Sequence, residues 1–263
     1  MNNKIVLYQI DAFTDKLFHG NPAGVCILGK WLADELMQNI AAENNLAETA
    51  FVVRNGDLFE IRWFTPTVEV DLCGHATLAS AHVLFNYYPI KENLIQFYSS
   101  RSGKLLVERQ GSWLTLNFPV DTYTEIDIPE VLITAFQKKP IEAYRGKTDF
   151  MLVFATQEDI EGFRPNFPLI ESVGGRGVIV TAPGLAVDFV SRFFAPQSGI
   201  DEDPVTGSAH TTLTPYWTNK IGKTRMTARQ LSKRGGDLVC EMNGDRVMIS
   251  GRAITYLIGE IAV

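Results

Sequence analysis

Four short segments hold the residue types that could do chemistry. In Asn45-Leu-Ala-Glu48-Thr49-Ala-Phe-Val a carboxylate opens a β-rich run, a few residues after a helical pattern. Acidic residues are depleted in strands, so Glu48 reads either as a solvated strand-edge carboxylate or as a general acid or base. A carboxylate in a dry cleft can be pushed toward neutrality, so that it both takes and returns a proton. Asp71-Leu-Cys73-Gly74-His75-Ala-Thr and Asp203-Pro204-Val-Thr206-Gly207-Ser208-Ala209-His210 each lead into an apolar run of helical length. His75 reads as an ordinary histidine with a local hydrogen bond or as a proton-handling group. Asp203 followed by Pro204 has the form of an ordinary helix start, with Asp as N-cap and Pro at the first helical position. Yet Gly207, Ser208 and Ala209 are small enough to let a ligand approach the backbone closely. The fourth segment, Asp11-Ala-Phe-Thr through Gly20-Asn21-Pro22-Ala-Gly24, is rich in turn residues. It is either a plain hairpin loop or a cleft lining in which the Asn21 amide holds a substrate carboxylate or amine.

Two of these segments belong to a longer internal match. Arg62-Trp-Phe-Thr-Pro66 followed by Asp71 aligns with Arg192-Phe-Phe-Ala-Pro196 followed by Asp201, about 130 residues later. After three inserted residues Gly74 aligns with Gly207 and Ala76 with Ala209, so His75 and Ser208 become pseudo-symmetric partners. In both copies an aromatic, strand-like run passes through a turn into an apolar helix. Short matches also arise by chance. Taken as a repeat, the pattern predicts two similar domains, each offering a helix N-terminus to a shared cleft. The first N–H groups of a helix lack partners within it and attract anions. Such a cavity would be electropositive with no buried Lys or Arg.

Composition narrows the classes. The chain has 263 residues, 46% hydrophobic and 21% charged, with a formal net charge of -6. No Lys/Arg cluster stands out, so nucleic acid is not an expected partner. The apolar run before Gln9 is too short for a secretory signal. Leu72 to Ile90 carries no Asp, Glu, Lys or Arg, but its His, Ser and Asn residues point to a buried helix rather than a membrane span. Cys26, Cys73 and Cys240 are far apart, which argues against a disulfide framework and for a reducing, cytoplasmic compartment. His75 and His82 are seven residues apart, two helical turns, and no metal site is expected.

Hydrophobic periodicity predicts helices at Leu32–Asn44, Ala76–Tyr88, Glu130–Lys138, Gln157–Val173 (interrupted at its prolines) and Thr206–Asn219, among short strands separated by turn chemistry. The expected class is α+β, two antiparallel-rich sheets each wrapping a central apolar helix. The expected domains are 1–118 and 119–263, with the last strand free to return to the first domain.

Together, Asp11-Ala-Phe-Thr, Phe18-His-Gly-Asn-Pro-Ala-Gly24, Leu46-Ala-Glu-Thr-Ala-Phe51, Arg62-Trp-Phe-Thr-Pro66, Glu69-Val-Asp-Leu-Cys-Gly-His-Ala-Thr77 and Gly199-Ile-Asp-Glu-Asp-Pro-Val-Thr-Gly-Ser-Ala-His210 resemble the phenazine-biosynthesis PhzF-like isomerase family. The resemblance implies two pseudo-symmetric diaminopimelate epimerase-like domains, each a β-barrel-like sheet around a central helix. It implies that Glu48 shuttles a proton and that His75 and Asp203 orient substrate and assist transfer. Asn21, Gly74, Gly207 and Ser208 match the substrate-binding shell. The best understood reaction of the family isomerises trans-2,3-dihydro-3-hydroxyanthranilate without metal or organic cofactor. The resemblance further implies a homodimer acting on a small carboxylic acid, with no nucleic acid or membrane partner.

One departure separates the chain from the two-thiol epimerases and racemases of the same fold. Cys73 is present, but the partner position holds Thr206. A Thr hydroxyl cannot replace a thiolate as base near neutral pH, which favours a one-base shuttle through Glu48. An epimerase using Cys73 and Glu48, and a metabolite-binding protein without turnover, are the alternatives.

Overall fold

A computed structural model describes residues 4–263. The chain divides into two compact units: the chain up to Asn117 together with Ser250–Val263, and Phe118–Ile249.

Unit 1 comprises β1 (Lys4–Ala12), β2 (Asn21–Leu28), α1 (Asp34–Asn44), β3 (Glu48–Asn55), β4 (Leu58–Phe64), β5 (Glu69–Val70), α2 (Gly74–Tyr87), β6 (Leu94–Ser99), β7 (Gly103–Gln110) and β8 (Trp113–Pro119). β2 runs parallel to β3, β3 antiparallel to β4, β4 parallel to β6, and β6 antiparallel to β7. α2 packs on β1, β2 and β3. Ten of its residues are buried, from His75 to Phe85. Its polar side chains survive burial by bonding within the helix: Thr77 Oγ1 donates to the Cys73 carbonyl and Ser80 Oγ to that of Ala76. On the other face of the sheet, Met37 and Ile40 of α1 pack with Phe51 and Phe64. β3 is therefore covered on both sides and reads as a continuous apolar run.

Unit 2 comprises β9 (Thr124–Glu125), α3 (Glu130–Phe136), β10 (Glu142–Arg145), β11 (Asp149–Val153), α4 (Gln157–Glu161), α5 (Phe167–Ser172), β12 (Gly177–Pro183), β13 (Phe189–Phe194), α6 (Ala209–Ile221), β14 (Arg225–Gln230), β15 (Gly236–Asn243) and β16 (Arg246–Gly251). The pairing order repeats that of unit 1: β11 parallel to β12, β12 antiparallel to β13, β13 parallel to β14, β14 antiparallel to β15. α6 packs on β14 and β15, while Phe136, Phe154, Phe163 and Ile170 form an aromatic-rich core with Phe194.

The matched arginines have matched structural roles. Arg62 donates Nε and Nη2 to Glu69, and Arg192 donates the same pair of groups to Glu202. Each guanidinium also lies over the phenylalanine two residues on, at 5.1 Å for Phe64 and 4.9 Å for Phe194. The repeated segment thus clamps the turn that delivers each central helix.

Two expectations about helices are corrected, and the last strand takes the course the sequence reading left open for it. β17 (Ala253–Ala262) pairs antiparallel with β1, from Lys4↔Ala262 to Ala12↔Ala253, and so belongs to unit 1. The helix expected from Thr206 begins at Ala209, because the Thr206 amide is held by Gln230 Oε1 at 2.9 Å rather than entering a helix. The mixed helix 157–173 is two short helices, α4 and α5, with the proline-containing stretch between and at the start of the second.

Candidate active site

Glu48 is the first residue of β3, paired in parallel with Ala23. Side chains at i and i+2 share a face, so Asn21, Ala23 and Glu48 point the same way from neighbouring strands. Gly20 makes the entry into β2 possible. Its φ is 65°, and a Cβ there would sit 2.1 Å from the Ala12 carbonyl oxygen.

The α2 N-terminus meets these side chains through His75. Its Nε2 lies 3.2 Å from Glu48 Oε2, and its Nδ1 lies 3.2 Å from Asn21 Nδ2. The His75 side chain is 6% exposed and that of Glu48 14%; Asn21 is fully buried. Cys73 is the N-cap but makes no side-chain cap hydrogen bond, and the first turn holds no acidic residue. The earliest amides of α2 have no acceptor within the helix.

Burial alone would push His75 down. The charges of Cys73 and Glu48 against the ring more than offset it, holding His75 well above the ordinary imidazole value. The Glu48 contribution is the sounder of the two, since Cys73 is not a thiolate near neutrality. Burial, reinforced by Glu48, pushes the Cys73 thiol up to about 11. With an imidazolium, Nδ1–H donates to the Asn21 amide oxygen, the side-chain amide turning to present it.

Glu48, Cys73 and His75 bring three possible ligand atoms within 4.8 Å of one another. Glu48 reaches His75 as an ion pair, and Cys73 packs against the same ring. Cys73 Sγ lies 3.5 Å from Nδ1 and 3.9 Å from Nε2. Being nearly equidistant from the two nitrogens, the sulfur sits over the ring face and not along either in-plane lone pair. Asn21 Nδ2 stands 3.2 Å from Nδ1, and Glu48 Oε2 stands 3.2 Å from Nε2 as an ion-pair contact.

The residues singled out in unit 2 form their own group. Asp203 is not a helix N-cap, since α6 starts six residues later. Its Oδ2 accepts from Thr206 Oγ1 at 2.5 Å. Gln230, fully buried at the end of β14, donates to the Asp203 carbonyl at 2.7 Å and to Thr206 Oγ1 at 3.2 Å. Gly207 and Ser208 form a tight turn before α6, their carbonyls accepting from the His210 and Thr211 amides. Ser208 makes no side-chain cap bond; its Oγ accepts from Arg176 Nη1 at 2.7 Å. The expectation of an anion site with no Arg beside it is corrected here, because a partly buried guanidinium stands at the second helix start.

The sequence pattern of the phenazine biosynthesis-like protein family matches residues 10–259. The chain belongs to that family. An uncharacterized isomerase of Pseudomonas aeruginosa is 51% identical over 98% of both chains. The crystal structure of a PhzF-family protein of Enterococcus faecalis superposes with a TM-score of 0.97 at 46% identity, covering 99% of this chain and 100% of the other. A hydroxyproline epimerase of Agrobacterium vitis, 11% identical, shares the fold with a TM-score of 0.66, covering 100% of this chain and 94% of its own. The diaminopimelate epimerase-like α+β architecture is thus the fold of this PhzF-family protein. Among the described residues no helix is long and apolar enough to cross a membrane.

Sequence reasoning missed Gln230, Arg176 and Asp149. The run Gly174-Gly-Arg176-Gly177 at a strand start was the available signal for Arg176, since glycines there leave an arginine's backbone free to turn. For Gln230 there was no local signal.

Proposed function

We propose that this PhzF-family protein is a cofactor-independent isomerase that moves a proton on a small carboxylic acid, with Glu48 as the shuttle. The observation that carries the reading is the buried Glu48–His75–Asn21 cluster at the start of α2. The Glu48 carboxylate takes the proton of an acidified C–H. The C–H electron pair enters the conjugated system, and the same carboxyl returns the proton to another carbon on the same face. His75, held as imidazolium, stands with Nε2 3.2 Å from Glu48 Oε2 and keeps that carboxylate oxygen beside its positive charge. Its positive charge and the α2 amides stabilise the negative charge that develops as the proton leaves.

Asp203 is assigned, with His75, to orienting the substrate's polar groups and assisting transfer, and Asn21, Gly74, Gly207 and Ser208 to the substrate-binding shell. The raised thiol of Cys73 disfavours an epimerase with Cys73 as second base. A cytoplasmic homodimer accepting neither nucleic acid nor membrane is part of the same reading, and light scattering in solution tests the dimer.

The decisive experiment incubates the protein in D2O with small unsaturated hydroxy and amino acids and follows them by proton NMR. Deuterium-free migration of a double bond supports a shielded shuttle. Ligand binding with no change in any C–H signal would reduce the protein to a metabolite binder.

A further inference from the structure

The strand registers show what stands beside Glu48. In unit 1 Ala50 pairs with Trp63, and in unit 2 Ile179 pairs with Phe193. The sequence repeat matches Trp63 to Phe193, each directly after one of the matched arginines. Two residues before each pairing lie Glu48 and Gly177, which therefore hold equivalent positions. Residues i and i+2 of a strand share a face. Trp63 is thus the diagonal neighbour of Glu48, at a spacing that long and aromatic side chains bridge. Unit 2 shows where the ring at this position goes. A Cβ at Gly177 would run into Cζ of Phe193 and lie 2.9 Å from its Cε2. The ring leans across the strand pair onto the position that Glu48 fills in unit 1. Where that position carries a carboxylate the ring is an indole with an N–H; where it carries no side chain the ring is a plain phenyl.

Trp63 is fully buried, yet its Nε1–H has no hydrogen-bond partner among the described residues. A buried indole N–H ordinarily finds one. Trp217 donates to Thr181 Oγ1 at 2.9 Å, and Trp31 donates to Glu60 Oε2 at 2.8 Å. Glu48 Oε2 is the complementary case. It meets His75 Nε2 as an ion pair at 3.2 Å but accepts no hydrogen bond among the described residues. A buried donor and a buried acceptor, both unmatched, thus stand on the same face of adjoining strands. Leaving such groups unpaired is costly. A turn of the glutamate about its own side-chain bonds removes the cost at both ends.

We propose, resting on the isomerase reading above, that Trp63 is a positioning residue for the proton shuttle: its indole N–H donates to the Glu48 carboxylate. One carboxylate oxygen is held by the indole, and the other is left to take and return the proton. An indole nitrogen donates and does not accept, so Trp63 supports the carboxylate without competing for the proton that Glu48 carries. His75 supplies positive charge beside the same group, and Trp63 supplies direction.

The test is nuclear magnetic resonance of the full chain with no ligand added. The indole 15N–1H signals and the Glu48 side-chain carboxyl 13C signal are followed with pH in wild type, Glu48→Gln and Trp63→Phe, the last giving unit 1 the ring that unit 2 has. At neutral pH the Trp63 indole proton should move upfield in Glu48→Gln, because a neutral amide is a weaker acceptor than a carboxylate. The Trp217 signal, held by Thr181, should stay in place. In Trp63→Phe the Glu48 carboxyl should titrate about one pH unit higher than in wild type, since its charged form has lost a donor. The wild-type and Glu48→Gln arms decide the matter where Trp63→Phe does not fold. A Trp63 indole indifferent to Glu48→Gln, or an unchanged Glu48 titration in folded Trp63→Phe, would show that Trp63 only packs and would overturn the proposal. Since no substrate enters, that outcome leaves the isomerase reading standing, to be judged separately by the turnover of Glu48→Gln.

Discussion

Glu48 Oε2 lies 3.2 Å from His75 Nε2, across 27 residues of chain and from two different elements, β3 and α2. This contact joins a carboxylate at a strand start to the positive end of a buried helix. It leads directly to what removing either partner should do.

Glu48→Gln keeps the shape of the side chain and loses the proton acceptor. Turnover should fall by at least ~100-fold, the usual scale of acid–base catalysis, while ligand affinity stays within a few-fold of wild type. Single-turnover NMR on a true substrate, beside a calorimetric Kd, separates these effects. A Glu48→Gln enzyme of wild-type rate would remove Glu48 from the chemistry.

His75 sits well above its ordinary value in the folded protein, against an unfolded value of about 6.5. A group raised on folding stabilises fully below its unfolded value and loses that contribution as pH rises through the folded one. Wild type should therefore exceed His75→Phe in stability most at pH 6, and the gap should narrow progressively above neutrality. Urea unfolding of both proteins across pH 6 to 10 reads the trend; a gap that widened with pH would show the opposite sign of linkage.

Cys73 is buried and its thiol is pushed up to about 11. Native protein should resist iodoacetamide at pH 7.5 for hours, and Cys73→Ala should retain turnover within about tenfold of wild type, since packing alone is lost. Mass spectrometry of the treated protein and a rate measurement suffice. Rapid alkylation with loss of all activity would favour the two-base epimerase.

Gln230→Leu leaves the Thr206 amide and the Asp203 carbonyl without their buried partner. The expected cost is about 1–3 kcal/mol of stability. Gln230→Glu, which still accepts from the Thr206 amide but cannot donate, should be intermediate. Denaturant midpoints of the three proteins give the order, and a neutral Gln230→Leu would mean that this loop is not held from β14.

Dialysis against a chelator should leave turnover unchanged, because the proposed proton shuttle runs through Glu48 beside His75 and calls on no metal. Activity lost on dialysis and restored by one divalent ion would recast the cluster as a metal centre.

The legibility of the site varied with how local its signals were. Glu48 stood out because a carboxylate opens an otherwise apolar strand, and His75 because it lies at the head of a charge-free stretch. Cys73, Gly74 and Asn21 were visible as neighbours in the same segments. Arg176 was not, because its partner Ser208 is 32 residues away and the contact exists only once β12 and α6 have packed. Gln230 was hidden for the same reason, and Asp203 was open to misreading as a helix cap because Asp-Pro is an ordinary helix start.

The sequence by itself determined the internal repeat, the two buried helices and the family. Each is a matter of residue order: matched segments, runs without charge, and motifs in register. Only the tertiary structure decided the parallel pairing of β2 with β3 and of β11 with β12, and the return of β17 to β1. Alternation along a strand reveals which face is buried but not which distant strand completes the ladder. It also decided the chemistry of the cluster. Whether His75 is raised or lowered depends on the balance between burial and a carboxylate 3.2 Å away, and both are set by packing between segments far apart in the chain.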